Sequence, residues 1–118
     1  MSQTKKLLFV CSQNRLRSLT AEHLYRGFLD YAVKSAGTSP KARTRLNEGH
    51  IGWADLIFVM ESKHRRILAE HFGEVLAGKR VICLHIPDNY QYMEPALIDE
   101  LKAKLSDYVQ VPEDAPNG

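Results

Sequence analysis

The stretch LLFVCSQNRLRSLTAEHLYRG, residues 7–27, decides the fold of this chain. Its first four residues are apolar and lead into Cys11, which is typical of a short strand buried on both faces. From Ser18 onward the apolar side chains recur at helical spacing, which predicts a helix over residues 18–31. A buried strand followed directly by an amphipathic helix is the repeating unit of a parallel α/β sheet.

The rest of the chain repeats this alternation of apolar runs, which predict strands, and helical periodicity. The predicted strands cover residues 6–10, 32–37, 54–60 and 80–86, and the predicted helices cover residues 18–31, 62–72 and 95–109. We therefore expect an α/β fold, with a single domain over residues 1–110 that contains a doubly wound, four-stranded parallel sheet with helices on both faces. The prolines and glycine of VPEDAPNG predict a flexible tail over residues 111–118.

The composition is that of a globular protein, because 44% of the 118 residues are hydrophobic and 25% are charged. No apolar run approaches the roughly 20 residues that a membrane-spanning helix needs. The apolar run near the N-terminus is also too short for a secretory signal. These observations predict a cytoplasmic protein with no membrane partner.

Charge is distributed unevenly along the chain, although the formal net charge is only +2. Residues 1–87 carry 14 Lys and Arg against 7 Asp and Glu, whereas residues 88–118 carry 2 against 7. The clusters KARTR (41–45) and KHRR (63–66) indicate either solvated surfaces or a positive field that attracts an anionic substrate. No aromatic residues interleave with these clusters, so a nucleic-acid partner has little support.

Neither a metal nor a nucleotide cofactor is predicted. The five histidines show no metal-ligand spacing, and the phosphate-binding GxxxxGK[ST] motif is absent. Two cysteines do not make a disulfide framework. For Cys83, which lies within an apolar strand-like run, we expect a reduced and buried thiol.

The loop between the first strand and the first helix, CSQNRLRS (residues 11–18), carries the chemistry. In a doubly wound sheet, ligands bind beyond the carboxyl ends of the strands, where Cys11 and Asp88 are both expected. N–H groups turned inward beside a helix N-terminus bind anions and stabilise a thiolate. Cys11 is therefore a candidate nucleophile, Arg17 a two-pronged ligand for phosphate oxygens and Ser18 a hydrogen-bond donor to the sulfur.

The order of several motifs resembles that of the low-molecular-weight protein tyrosine phosphatases. Cys-x5-Arg-Ser after the first strand is similar to the phosphate loop of that family, and we call residues 11–18 the phosphate loop. Further segments resemble the family in the same order, namely SAGT (35–38), KAR (41–43), ADLIFVM with ESKHRRIL (54–68) and DNY (88–90), where the family has an Asp-Pro-Tyr loop. The resemblance covers most of residues 6–109.

This resemblance implies a role for each matching residue. Cys11 would be the nucleophile, Ser18 would assist its thiolate, and Asn14 would tie the loop into shape through side-chain hydrogen bonds. Asp88 would protonate the leaving oxygen and later activate water, and Tyr90 would contact the leaving group at the mouth. The phosphoryl group would be held by the loop amides and the arginine, that is, by Ser12, Gln13, Asn14, Arg15, Leu16, Arg17 and Ser18.

The chain also departs from the family pattern. Gln13 replaces the glycine that usually precedes the loop asparagine, and Asn89 replaces the proline after the expected acid. Leu16 stands where many members have a second cysteine, so a protective disulfide with the nucleophile is not expected. A long segment that helps to wall the substrate cleft is shortened to Ser39 and Pro40, which predicts a more open cleft.

The sequence therefore predicts a cysteine-dependent phosphomonoesterase that works through a cysteinyl-phosphate intermediate. Its partners would be a phosphorylated substrate, either a phosphotyrosine protein or another phosphomonoester, and an oxyanion in the loop. Arg15 adds a second charge that can bind substrate beyond the phosphate. Two alternatives stay open: a non-catalytic phosphate-recognition module, which the changes at Gln13 and Asn89 would suit, and an arsenate reductase, for which only Cys83 offers a further thiol.

Overall fold

The computed structural model describes residues 4–28 and 30–112. Its strands are β1 (Lys5–Cys11), β2 (Tyr31–Gly37), β3 (Leu56–Val59) and β4 (Arg80–Cys83). They form one parallel sheet in the order β2-β1-β3-β4. The predicted four-stranded parallel α/β sheet is confirmed.

Helices cover both faces of the sheet, as predicted. They are α1 (Arg17–Leu24), α2 (Glu48–Trp53), α3 (Ser62–Leu76) and α4 (Pro95–Leu105). Because successive side chains of a strand point to opposite faces, Leu7 and Phe9 enter the core under α1 and α4. Leu8 and Val10 enter the second core, under α2 and α3. This burial on both sides explains the unbroken apolar run of β1.

The position of β1 in the middle of the sheet places the cysteine loop at the point where the strand order reverses. β2 lies on one side of β1 and β3 on the other. Cys11 is the last residue of β1 and pairs in register with Gly37. The chain segments that follow β3 and β4 reach the same edge of the sheet, which is where doubly wound proteins bind their ligands.

Several predicted boundaries are wrong, and backbone geometry explains them. The helix predicted over residues 18–31 ends at Leu24, since Gly27 follows with a left-handed φ of 85°. The strand predicted over residues 80–86 ends at Cys83, because His85 also has a positive φ, of 56°. Helix α3, which was predicted to end at residue 72, continues across a non-helical Phe72 and ends at Leu76.

Helix α2 was not predicted. It is only 6 residues long, and its sequence EGHIGW buries a single side chain, that of Ile51. Its helical start is fixed by Asn47, whose side chain accepts a hydrogen bond from the N–H of His50. A short helix with one buried residue shows no apolar periodicity. The sequence feature that could have indicated α2 was its N-cap residue, Asn47.

Two further expectations concern Cys83 and the tail. Cys83 is half-buried rather than buried, because it lies on the edge strand β4, and its sulfur is 3.6 Å from Nδ1 of His85. Val111, at the start of the predicted tail, packs against the core, and residues 113–118 lie outside the described residues. In the described part of the chain, no helix is long and apolar enough to cross a membrane.

Candidate active site

The sulfur of Cys11 lies at the base of the phosphate loop, where two hydrogen-bonding groups approach it. The residue is only 3% exposed. Its Sγ is 3.0 Å from Oγ of Ser18 and accepts a hydrogen bond from the N–H of Asn14 at 3.2 Å. Both contacts stabilise negative charge on sulfur.

Asn14 shapes the loop from inside. It is completely buried and has a left-handed φ of 57°, a conformation that asparagine tolerates better than most residues. Its Nδ2 donates to Oγ of Ser18 at 2.8 Å, so the hydroxyl hydrogen of Ser18 is left to point at the sulfur of Cys11. Gln13 has no positive φ, which explains how the loop closes without the glycine usual at that position.

The loop encloses a cavity of about 200 Å³. No acceptor among the described residues takes the N–H groups of Ser12, Gln13, Arg15 or Leu16. The helix α1 begins at the same place, without a side-chain cap and without an acidic residue in its first turn. Unpaired N–H groups beside a free helix N-terminus attract an anion. The cavity is lined by Cys11, Ser12, Gln13, Arg15, Leu16, Arg17 and Asp88.

Arg17 is 2% exposed, and two neighbouring elements hold its guanidinium. Nη1 donates to the carbonyl oxygen of Ile86 at 2.9 Å and lies 3.2 Å from Oε1 of Glu61. Nε lies 3.8 Å from Oδ1 of Asp88. The guanidinium is therefore fixed at one end, in an orientation set by the segments that follow β3 and β4.

Glu61 balances the buried charge of Arg17. Burial by itself raises the pKa of this carboxyl, but the guanidinium of Arg17, 3.2 Å away, together with the ammonium of Lys63, brings the pKa below its usual value. Glu61 is therefore ionised at neutral pH. Sequence reasoning missed it, because its partner lies 44 positions earlier and the contact depends on how β1 and β3 pair.

His64 is the second site residue that sequence reasoning missed. It is completely buried, its Nδ1 accepts from the N–H of Glu61 at 3.0 Å, and its Nε2 lies 2.9 Å from Oγ of Ser12. Burial, followed by the charge of Arg17, lowers its pKa to about 4. No local sequence signal connects His64 with the loop, because its partner Ser12 lies 52 positions earlier in the chain.

The shortened segment after β2 packs directly against the phosphate loop. The N–H groups of Ser39 and Arg43 donate to the carbonyl oxygens of Ser12 and Gln13, both at 2.9 Å. A Cβ on Gly37 would lie 2.5 Å from the carbonyl oxygen of Ser12, so this close approach requires glycine. A few residues of backbone between β2 and α2 thus support the phosphate loop directly.

Asp88 and Tyr90 occupy different positions in the segment after β4. Asp88 lines the cavity with 59% of its side chain exposed, across from Arg17. Tyr90 is absent from the lining: its ring packs against the core under α1 and α4, and its hydroxyl donates to Glu100 at 2.8 Å. Its role as a substrate contact stays a prediction.

Most sequence-predicted residues converge on one site. Asn14 and Ser18 belong to the loop but do not line the cavity, and both form hydrogen bonds with the sulfur of Cys11. In the described part of the chain, no cluster of three or more His, Cys, Asp or Glu side chains could hold a metal ion.

Solved structures of known proteins share this arrangement of elements. The tyrosine phosphatase Wzb from Escherichia coli K30, in complex with phosphate, matches with a TM-score of 0.72 at 19% identity, over 90% of this chain and 96% of that chain. SP-PTP, a low molecular weight protein tyrosine phosphatase from Streptococcus pyogenes, matches with a TM-score of 0.71 at 17% identity, over 90% and 94% of the two chains. This chain has the fold of the low-molecular-weight tyrosine phosphatases.

The phosphatase fold also includes a structure with a different named activity. The YwlE arginine phosphatase from Geobacillus stearothermophilus matches with a TM-score of 0.62 at 24% identity, over 87% of this chain and 94% of that chain. No protein-family model and no curated protein matches the sequence. The solved structures therefore confirm the fold that the resemblance to low-molecular-weight tyrosine phosphatases implied.

Proposed function

We propose that the protein is a phosphoric monoester hydrolase that uses Cys11 as its nucleophile. The observation that carries this proposal is the surrounding of the sulfur. A buried Sγ lies at a cavity of about 200 Å³, 3.0 Å from Oγ of Ser18, beneath unpaired N–H groups and beside Arg17. These groups meet the negative charge of a phosphoryl group and of a thiolate at the same point.

The reaction follows from this arrangement in two steps. The thiolate of Cys11 attacks phosphorus, the bond to the ester oxygen breaks, and Asp88 gives that oxygen its proton. Water then attacks phosphorus, Asp88 takes a proton from the water, and the phosphorus–sulfur bond breaks. Hydrogen bonds from Ser18 and Asn14 stabilise the departing thiolate. Phosphate leaves, and the enzyme returns to its initial protonation state.

Arg17 would hold the phosphoryl oxygens throughout both steps. Its Nη1 is engaged with Ile86 and Glu61, so the anchored guanidinium can present its remaining N–H groups to two oxygens at once. Because the neighbouring protein groups already fix its orientation, little reorganisation is needed when the substrate binds.

The substrate class is a phosphomonoester whose alcohol or phenol part extends outside the cavity. The cavity of about 200 Å³ has room for the phosphoryl group and for the nearest part of its alcohol or phenol. Exposed Arg15 at the cavity lining favours substrates with further negative charge. Neighbours in fold are named as tyrosine phosphatases, so phosphotyrosine side chains of proteins are the first monoesters to try. A cytoplasmic location stays a prediction.

Hydrolysis of p-nitrophenyl phosphate tests the proposal, with the wild type compared to Cys11→Ser under reducing conditions. We expect turnover by the wild type, no measurable turnover by Cys11→Ser, and retained binding of inorganic phosphate by both. Full activity of Cys11→Ser would refute the mechanism. Phosphate binding without turnover by the wild type would favour the alternative of a recognition module.

The role of Asp88 has a separate test, because an acid matters most when the leaving oxygen is strongly basic. Asp88→Asn should slow phenyl phosphate about 10²-fold or more and slow p-nitrophenyl phosphate much less. Equal effects on the two esters would assign the proton donor to another residue.

A further inference from the structure

His64 occupies the third position of α3 and forms hydrogen bonds with two parts of the chain, the start of α3 and the phosphate loop. Its side chain is completely buried. Its Nδ1 accepts the N–H of Glu61 at 3.0 Å and so completes a capping box at the helix start. Its other nitrogen, Nε2, reaches Ser12 at 2.9 Å, across 52 positions of sequence.

The direction of the bond to Ser12 follows from the cap. A backbone N–H can only donate, so Nδ1 of His64 carries no hydrogen, and the proton of the neutral ring resides on Nε2. Nε2–H therefore donates to Oγ of Ser12. The hydroxyl hydrogen of Ser12 is left free, and no other group among the described residues accepts it.

The second capping box of the chain shows that this bond is not part of capping. At the start of α2, Nδ1 of His50 likewise accepts the N–H of Asn47, and the N–H of His50 donates to the side chain of Asn47, both at 3.1 Å. Among the described residues, Nε2 of His50 makes no hydrogen bond. A histidine can therefore cap a helix through Nδ1 alone, with no hydrogen bond at Nε2. The bond from Nε2 of His64 to Ser12 therefore has an effect outside the helix cap.

That consequence concerns the cavity, because Ser12 lines it next to Cys11. We propose that His64 is a positioning residue of the phosphate loop: by donating to Ser12, it turns the hydroxyl hydrogen of Ser12 toward an oxygen of the bound phosphoryl group. This inference rests on the proposed function for its catalytic part. Ser12 would then supply a side-chain donor to the anion in addition to the N–H groups of the loop.

Two substitutions separate the two bonds of His64. In His64→Asn, Oδ1 takes the place of Nδ1, so the cap is kept and the bond to Ser12 is lost. In His64→Gln, Nε2 can still reach Ser12, while the cap is lost. The measurements are the Kd of inorganic phosphate, kcat and KM for p-nitrophenyl phosphate, and the Tm.

We expect His64→Asn to keep a Tm near that of the wild type, and to weaken phosphate binding and lower kcat/KM by about tenfold each, as for one lost hydrogen bond to a charged group. His64→Gln should recover most of the phosphate affinity despite a lower Tm. Ser12→Ala should match His64→Asn, and the double variant should lose nothing further. His50→Asn is the matched control and should leave affinity and turnover unchanged.

Wild-type phosphate affinity and turnover in His64→Asn would overturn the proposal, as would losses in both His64 variants that simply follow their Tm. Additive losses in the double variant would also overturn it, because His64 would then not act through Ser12. If the wild type binds phosphate but hydrolyses no ester, the proposed function fails, while the phosphate affinities of the variants still decide the role of His64. If the wild type binds no phosphate, both proposals fail.

Discussion

Helices α2 and α3 begin with the same local device, and only one of them contributes side chains to the phosphate loop. At each start, Nδ1 of a histidine in the third position accepts the N–H of the residue before the helix, His50 from Asn47 and His64 from Glu61. Burial lowers the pKa of both histidines, with the charge of Lys34 adding to the effect at His50 and that of Arg17 at His64.

The difference lies in what precedes each helix. Helix α3 follows the carboxyl end of β3, which lies beside β1, so Glu61 reaches Arg17 and His64 reaches Ser12. Helix α2 follows the segment after β2, and its histidine stays within its own cap. A capping motif thus fixes where a helix begins, and the sheet topology decides whether the same residues also support a site.

The largest expected effect is that of Arg17→Lys, because Arg17 links the α3 start to the cavity. A lysine cannot bond Ile86 and Glu61 while also presenting a fork to phosphate, so kcat/KM for p-nitrophenyl phosphate should fall by about 10²- to 10³-fold. Arg65→Lys is the control, since Arg65 lies in α3 and also donates to a carbonyl, that of Val81. Similar losses of kcat/KM in Arg17→Lys and Arg65→Lys would mean that the arginine at the cavity matters no more for turnover than an arginine on the surface.

Gly37→Ala tests the backbone support that the end of β2 and the segment before α2 give to the phosphate loop. The new Cβ would lie 2.5 Å from the carbonyl oxygen of Ser12 and 2.6 Å from Cβ of Ala42, so the phosphate loop must shift. Urea unfolding should show a loss of up to about 3 kcal/mol in the free energy of unfolding, together with weaker phosphate binding. Gly73→Ala, where no atom lies within 4 Å of the new Cβ, should do neither. An unchanged phosphate affinity in Gly37→Ala would contradict the packing described above.

The two histidines should also differ in how they affect stability with pH. The pKa of His64 is about 4 in the folded protein, against an ordinary value of 6.5. Between these values the unfolded chain binds a proton that the folded protein does not, so stability falls as the pH is lowered through this window. From about pH 7 to about pH 5, His64 should account for a loss of about 2 kcal/mol.

His64→Asn should remove this part of the acid sensitivity, and urea unfolding at the two pH values measures it. His50→Asn should show a change of the same sign and smaller size, because His50 is less completely buried. An unchanged pH dependence in His64→Asn would mean that folding does not lower the pKa of His64, and the assignment of its Nδ1 as an unprotonated acceptor of the Glu61 N–H would be wrong.

The smallest effect is expected at the far end of α2. Lys79 donates to the carbonyl oxygens of Gly52 and Ala54, at 3.0 and 2.8 Å, and so caps the end of this helix. Lys79→Met should lower the free energy of unfolding by about 1 kcal/mol and leave kcat/KM unchanged. A fall in turnover would show that α2 influences the site after all.

The residues that the sequence identified are those whose signals are local. The buried strand, the cysteine at its end, Arg17 and Ser18 fall within a dozen positions, and the strand–loop–helix order alone brings them together. Asp88 could be placed at the same edge because parallel strands share a carboxyl end. Alternating apolar runs were sufficient for the sheet and for its helices on both faces.

The site residues that could not be predicted from the sequence depend on pairing between distant segments. Glu61 and His64 look like ordinary helix-start residues until β3 is known to lie next to β1. Tyr90 was expected at the mouth because DNY resembles the family's Asp-Pro-Tyr loop; its hydroxyl donates to Glu100, and its contact with substrate stays a prediction. The short helix α2 and the end of α1 depend on a cap and on a left-handed glycine, which apolar periodicity does not register.

The most direct test of the central claim is to trap the phosphoenzyme. Asp88→Asn is mixed with p-nitrophenyl phosphate, quenched in acid and mapped by peptide mass spectrometry, because this variant should form the intermediate from a good leaving group and hydrolyse it slowly. We expect one phosphoryl group per chain, on the sulfur of Cys11. A phosphoryl group on another residue, or continued turnover with Cys11 unmodified, would contradict it.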